Sequence, residues 1–335
     1  MAELDDLLSR PSSATTRTLQ ELPGDIAVLG AGGKMGPTLA RMANRASELA
    51  GFRRRVFGVS RFSSPELPER LESWGIEPIR ADLTDRSAYA RLPDADIVVF
   101  MAGMKFGTAG REASTWATNA YLPALVCERY RSSRIVAFST GNVYGLSPVA
   151  RGGSREDDPL NPAGEYAMSC VGRERIFEYF SRVAGTRVAI ARLNYATELR
   201  YGVLVDIAGN VFAGRPVPLA MGHFNAIWQG DASNMALQAL AHAASPPFTV
   251  NIAGPDVLSV RSIASQFGAL FGRTVEFEGS EADDALLSDA RRACDLFGRP
   301  DLDLVRLVSW ITDWQRRGGA TFGKPTHFEE RAGSF

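Results

Sequence analysis

The chain has 335 residues, 45% of them hydrophobic and 22% charged, with a net charge of −1 and a pI of about 6.4. So neutral a surface offers no long-range field for nucleic acid or an anionic membrane, and Arg53-Arg54-Arg55 reads as a solvated corner. Three scattered cysteines, Cys127, Cys170 and Cys294, lack Cys-x-x-Cys or histidines at ligand spacing, so neither a disulfide framework nor a metal site is expected.

Residues 1–22 are polar and form an N-terminal arm, in which Leu4, Leu7 and Leu8 can make a short docking helix. The run 26–29 is a short apolar strand that leads straight into Gly30, Gly33 and Gly36, with Lys34 and Met35 inside the turn, and a helix follows over 37–46. Strand, tight glycine turn and helix N-terminus together present bare N–H groups and a positive helix end to a dinucleotide pyrophosphate. A glycine-rich loop alone is weak evidence; its strand-before and helix-after context is what strengthens it. Further strands are expected at 56–59, 78–81, 95–101, 134–139 and 187–193, with helices at 114–131 and 166–182. Apolar runs alternating with amphipathic helices predict an α/β fold, a doubly wound parallel sheet. Beyond residue 200 the pattern is irregular, with helices at 232–244, 260–271 and 304–316 and short strands at 250–252 and 275–277. The expected division is a dinucleotide-binding domain over 23–200 and a small C-terminal α+β substrate lobe over 201–335, some of whose segments return to the first domain. No apolar stretch reaches membrane-spanning length and the N-terminus lacks a signal pattern, so the cytoplasm is the expected compartment.

Four more segments follow the glycine turn in order. They are Ala81-Asp82-Leu83, the run 98–103 ending in Ala102-Gly103, the stretch Phe138-Ser139-Thr140-Gly141-Asn142-Val143-Tyr144-Gly145, and Arg192-Leu193-Asn194-Tyr195. Together these motifs resemble the extended short-chain dehydrogenase/reductase family, the NAD(P)-dependent epimerase/dehydratase type, over roughly residues 25 to 255. The resemblance implies that Asp82, beside Leu83, binds the adenine amino group, although a strand-end cap explains Asp82 equally well. It places Ala102 and Gly103 beneath the nicotinamide side, where a plain buried strand is the alternative. On the same match Thr140 hydrogen-bonds the substrate oxygen, Asn142 lies next to it, and Asn194 faces the nicotinamide. The family also commonly pairs the helices around 114–131 and 166–182 across a two-fold axis. That implies a homodimer here, with an apolar stripe at Tyr121, Leu125, Val126, Ile176, Phe177 and Phe180, each of which could equally be core.

One departure stands out. The family's Tyr-x-x-x-Lys pair is here Tyr166-Ala-Met-Ser-Cys170. A spacing of four puts both side chains on one helix face, so a thiol stands where an ammonium would hold the cofactor ribose and lower the tyrosine pKa. A neutral thiol donates weakly and a thiolate would oppose the phenolate. If the lysine lowers that pKa by roughly two units, about 2.7 kcal/mol is lost. The loss falls on hydroxyl oxidation, which needs a base; carbonyl reduction needs Tyr166 protonated, which a phenol supplies at neutral pH. Of the three lysines, Lys34, Lys105 and Lys324, Lys105 lies in the loop leaving the fourth strand and can restore a positive charge beside Tyr166; a solvated loop lysine is the alternative.

The second strand ends in Val59-Ser60-Arg61 with no acidic residue before Glu66. The guanidinium favours a 2′-phosphate, hence NADP over NAD, unless Arg61 points to water. The stretch His223-Phe-Asn-Ala-Ile-Trp-Gln-Gly-Asp231 lacks the Arg and His that nucleotide-sugar members carry there, while Asp231 can cap the helix after it. His223, Asn225 and Trp228 are candidate pocket residues, and core packing explains Trp228 as well. The expected activity is an NAD(P)-dependent oxidoreductase of a small sugar, sugar acid or related hydroxy/oxo compound. Its rivals are a sugar epimerase or dehydratase, and an NADP(H)-binding sensor module without catalysis.

Overall fold

A computed structural model describes residues 2–105 and 110–333. The apolar runs form a seven-stranded parallel sheet: β1 Ile26–Leu29, β2 Val56–Ser60, β3 Glu77–Arg80, β4 Ile97–Phe100, β5 Arg134–Thr140, β6 Arg187–Leu193 and β7 Phe248–Ile252. Their spatial order is β7-β6-β5-β4-β1-β2-β3. Strands β1 and β4 read Ile-Ala-Val-Leu and Ile-Val-Val-Phe, and all eight residues are buried because helices cover both faces of the sheet. Strand order reverses between β1 and β4, which pair in register from Ile26↔Ile97 to Leu29↔Phe100. That reversal opens a crevice at the strands' carboxyl ends, where ligands bind open α/β sheets.

The N-terminal arm is two helices rather than one, α1 Ala2–Leu8 and α2 Ser13–Glu21. They bury Leu4, Leu8 and Leu19, and Asp6 accepts Arg45 of α3 (Gly36–Leu49) at 2.9 Å. Helix α4 is Leu67–Ser73. The single helix expected at 114–131 is three pieces: α5 Glu112–Trp116, a π turn Ala117–Tyr121, and α6 Leu122–Arg129. Pro123 has no N–H to donate, and the wider turn absorbs the break. Helix α7 runs from Gly164 to Ala184.

Of the stripe residues, Tyr121 is exposed and Ile176 partly buried, while the others take the core alternative. Leu125, Val126 and Phe177 lie in the core under the sheet, where Phe177 meets Phe100 edge-on at 5.3 Å, and Phe180 packs against the same cluster. The large apolar side chains that these helices expose are Trp116, Tyr121, Met168, Tyr179 and Val183.

The remaining helices are α8 Val203–Ala213, α9 Gln229–Ala239, α10 Val260–Phe271, α11 Arg291–Phe297 and α12 Leu304–Arg316. The chain forms two compact units, each built from several segments. One comprises 1–140, 165–192 and 233–250; the other comprises 141–164, 193–232 and 251–335. Among the described residues no helix is long and apolar enough to cross a membrane.

Candidate active site

Gly30 and Gly36 at the end of β1 are required by close backbone approach, whereas Gly33 leaves the turn open. Gly30 has φ 99°, and a Cβ there would sit 2.6 Å from the backbone nitrogen of Ala102, just past β4. Gly33 is exposed and would meet only the Gly30 carbonyl, at 3.3 Å, so its backbone lies open to a ligand. At Gly36 a Cβ would fall 2.7 Å from Ala31, so glycine lets α3 start against the turn. Met35 at the N-cap makes no side-chain capping bond, which leaves the first N–H groups of α3 and its positive end available. Lys34 and Met35 are partly buried in the same turn. This donor set fits a dinucleotide pyrophosphate.

Beside the turn, a Cβ at Gly32 would lie 2.4 Å from the Ser60 hydroxyl, so the end of β2 packs directly on it. Arg61 is exposed, 3.9 Å from Asp82. A second guanidinium, Arg80 at the end of β3, donates to the carbonyls of Arg61 (2.5 Å) and Phe62 (3.1 Å). Sequence reasoning missed it. Asp82 Oδ1 accepts the hydroxyl (2.7 Å) and N–H (2.9 Å) of Thr84, and those bonds hold its carboxyl below the usual range. The Leu83 carbonyl accepts the Tyr89 hydroxyl at 2.9 Å.

Thr140 ends β5 and is buried; its hydroxyl is hydrogen-bonded to that of Tyr166, in the first turns of α7. Cys170, fully buried, brings its sulfur within hydrogen-bonding reach of the same phenol. Burial pushes the Tyr166 phenol well above its ordinary pKa and Cys170 adds to the rise, while Arg173 and the Thr140 hydroxyl oppose it. Burial raises the Cys170 thiol too, which keeps it neutral. The Lys105 ammonium lies 5.9 Å from the Tyr166 ring centroid, and burial lowers its pKa to about 8. Thr140, Tyr166, Cys170 and Lys105 thus form one cluster.

Three supporting residues were not anticipated. Asn119, in the π turn, accepts Met104 N–H and donates to Met104 C=O, both at 2.9 Å, and also donates to Ser169 Oγ at 2.9 Å. It thereby clamps the backbone next to Lys105. Arg173 is buried beneath Gly103. Glu174 accepts Arg192 Nε (2.9 Å) and Nη2 (2.7 Å) and the Ser139 hydroxyl (2.6 Å), tying α7, β6 and β5 together. A polar residue at fixed helical spacing from Tyr166 was the available signal for Arg173; nothing in the pattern marks Asn119.

Four further residues expected at the substrate, Asn142, Asn194, His223 and Trp228, lie in the other unit. Asn194 Nδ2 donates to Asn225 Oδ1 at 2.9 Å and to Leu286 O at 3.2 Å, and Asn225 donates in turn to Ser288 O at 2.6 Å and Gly254 O at 3.0 Å. Both amides are buried and serve as struts for the loops around them. Trp228 meets Trp310 edge-on at 5.9 Å and lines a cavity of about 140 Å³ with Pro255, Asp256, Leu258, Arg299 and Leu307. His223 is partly buried in a two-residue strand paired with Leu258–Ser259, and its Nδ1 is buried without a hydrogen-bond partner. Asn142 is partly buried on the wall of a smaller cavity with Gly145, Leu286 and Arg331. Asp231 is not the cap expected of it: α9 begins two residues earlier, and its carboxylate accepts Leu302 N–H at 3.1 Å instead.

The sequence profile of the NAD dependent epimerase/dehydratase family matches residues 26–197, half of the chain, from β1 through β6. The chain belongs to this family. Its fold is shared with solved members of the extended short-chain dehydrogenase/reductase class. One is the dTDP-glucose 4,6-dehydratase DesIV from Streptomyces venezuelae, bound to NAD (19% identity, TM-score 0.71, 88% of this chain and 97% of that one). Another is the UDP-glucuronic acid 4-epimerase from Bacillus cereus, bound to UDP-glucuronic acid and NAD (17%, 0.72, 88% and 99%). A third is the UDP-glucose 4-epimerase from Thermotoga maritima (17%, 0.71, 88% and 99%). A search of curated protein sequences gives no match.

Proposed function

We propose that the chain is an NADP-preferring oxidoreductase that reduces the carbonyl of a small sugar, sugar acid or related oxo compound, with Tyr166 as the acid. The observation that carries this reading is the buried phenol, hydrogen-bonded to Thr140, with no lysine on its helix to ionise it. A phenol held protonated is fit to give a proton and unfit to take one. Thr140 orients the substrate oxygen, and the Tyr166 O–H proton passes to that oxygen as the carbon beside it takes a hydride. A nicotinamide dinucleotide, if held at the glycine turn, would supply the hydride chemistry there. Gly30, Gly33, Gly36 and the start of α3 would hold its pyrophosphate, Ser60, Arg61 and Arg80 a 2′-phosphate, Asp82 and Leu83 the adenine, and Ala102, Gly103 and Cys170 the nicotinamide side. Lys105 adds charge next to the phenol. Asn142, Asn194, His223 and Trp228 are the candidate substrate residues of the second unit.

Epimerisation or dehydration of a sugar nucleotide is the second reading, favoured by what the solved relatives bind. The protein would act as a homodimer through the exposed Trp116, Tyr121, Met168, Tyr179 and Val183. NADPH absorbance followed over a panel of sugars, sugar acids and sugar nucleotides separates the readings. Stoichiometric NADPH loss supports the reductase. Interconversion of sugars without net loss supports the isomerase, and binding without either leaves a sensor.

A further inference from the structure

Arg173 carries a permanent charge into the interior. Only 6% of it is exposed, and its three hydrogen bonds go to neutral acceptors: Phe138 O (2.7 Å), Asn119 Oδ1 (2.7 Å) and Asn119 O (3.3 Å). Its guanidinium also lies 5.4 Å from the Phe100 ring centroid. Among the described residues no carboxylate pairs with it; Glu174, next in the chain, is taken by Arg192 and Ser139. A buried cation without a counter-ion is costly and leaves local demand for negative charge.

Its placement indicates where that charge is used. Arg173 follows Cys170 by three residues and Tyr166 by seven, so all three share one face of α7. A Cβ at Gly103 would come 2.6 Å from Nη2, so the guanidinium sits directly under an exposed glycine at the end of β4. Among the described residues, the charged and titratable groups facing Tyr166 are Lys105 from the loop after β4 and Cys170 and Arg173 from α7. Lys105, with its pKa near 8, loses charge as the solution turns alkaline, whereas a guanidinium does not.

We propose that Arg173 is a positioning residue for proton transfer: a permanent cation beneath Gly103 that stabilises negative charge on Tyr166 and, through Asn119, holds the loop carrying Lys105. It occupies a different position from the missing lysine but answers the same electrostatic need. When the Tyr166 O–H bond breaks and its proton passes to the substrate oxygen, the electron pair stays on the phenolate oxygen, within the field of this guanidinium. The inference rests on Tyr166 as the proton donor.

The test replaces Tyr166 with a polyfluorinated tyrosine, whose phenol ionises within the stable pH range, and follows it by fluorine NMR in the full chain. Arg173→Met should raise the midpoint by about one pH unit or more, a tenfold loss of phenolate at fixed pH. Arg173→Lys should recover part of that shift. Adding Cys170→Lys to Arg173→Met should recover it as well, because a cation is restored on the same face of α7. Lys105→Met should shift the midpoint less than Arg173→Met does. An unchanged midpoint in folded Arg173→Met overturns the proposal. Should that variant not fold, a full-unit rise from Lys105→Met with Arg173 in place overturns it, because the controlling cation is then Lys105. The NMR reading needs no substrate, so it stands apart from the NADPH panel, on which the functional reading alone depends.

Discussion

Replacing Glu174 by Gln should destabilise the protein more than any surface change near the site. Glu174 and Arg192 are 4% and 7% exposed, joined by two hydrogen bonds of 2.7 and 2.9 Å, and the same carboxylate accepts Ser139 at 2.6 Å. Glutamine keeps one acceptor oxygen but turns an amide N–H₂ toward the guanidinium and removes the carboxylate charge that faces Arg192 in the interior. Breaking a buried pair from one side costs about 3–5 kcal/mol. Urea unfolding of wild type and Glu174→Gln measures the loss. The double change Glu174→Leu with Arg192→Met removes both charges and should lie within about 1–2 kcal/mol of wild type, since apolar replacement of a buried pair is often near neutral. A Glu174→Gln cost under about 1 kcal/mol, or a double change as costly as the single one, would refute this account of how β5, β6 and α7 are held together.

Three further outcomes follow from the same geometry. Arg61→Ala should weaken NADPH binding by about 1.5–3 kcal/mol, roughly ten- to a hundredfold, and leave NADH nearly unchanged; fluorescence titration of both cofactors checks this. Burial raises the Asp231 carboxyl to about 6 in the folded protein, from an ordinary 3.8. The native state therefore holds the proton more tightly than the unfolded chain, so stability falls as pH rises from 4 through 6. Asp231→Asn should regain at most about 3 kcal/mol at pH 7.5 and nothing at pH 3.5, read by urea unfolding at the two pH values. Light scattering at micromolar concentration should give about twice the 36.3 kDa chain mass, and Tyr179→Glu with Val183→Glu should return the monomer.

Much of the sheet is legible because a strand buried on both faces must be an unbroken apolar run, as at Ile26–Leu29 and Ile97–Phe100. Helices α10 and α12 end where the pattern places them, since each turns one apolar stripe inward and opens on a capping side chain, Ser259 or Asp303. Helix α8 escapes the same reasoning. Val-Leu-Val-Asp-Ile-Ala is apolar almost all round, and such a run has no period to tell helix from strand. At the site, Gly30, Thr140, Tyr166 and Lys105 are visible because their residue types match a task. Arg173 and Asn119 are not, because burial of a polar side chain depends on partners that only the fold assembles. Arg192 illustrates the same limit: it belongs to a recognisable motif, yet its guanidinium is taken by Glu174.

The most direct test of the account compares wild type with Tyr166→Phe in NADPH-dependent carbonyl reduction between pH 6 and 10, using the best acceptor from the panel. Wild type should hold its rate across neutral pH, as a buried phenol kept protonated requires. Tyr166→Phe should lose about 10²–10⁴-fold in kcat while NADPH binding is retained. A Tyr166→Phe enzyme with unchanged kcat and pH profile would contradict the account, because the proton would then come from another group.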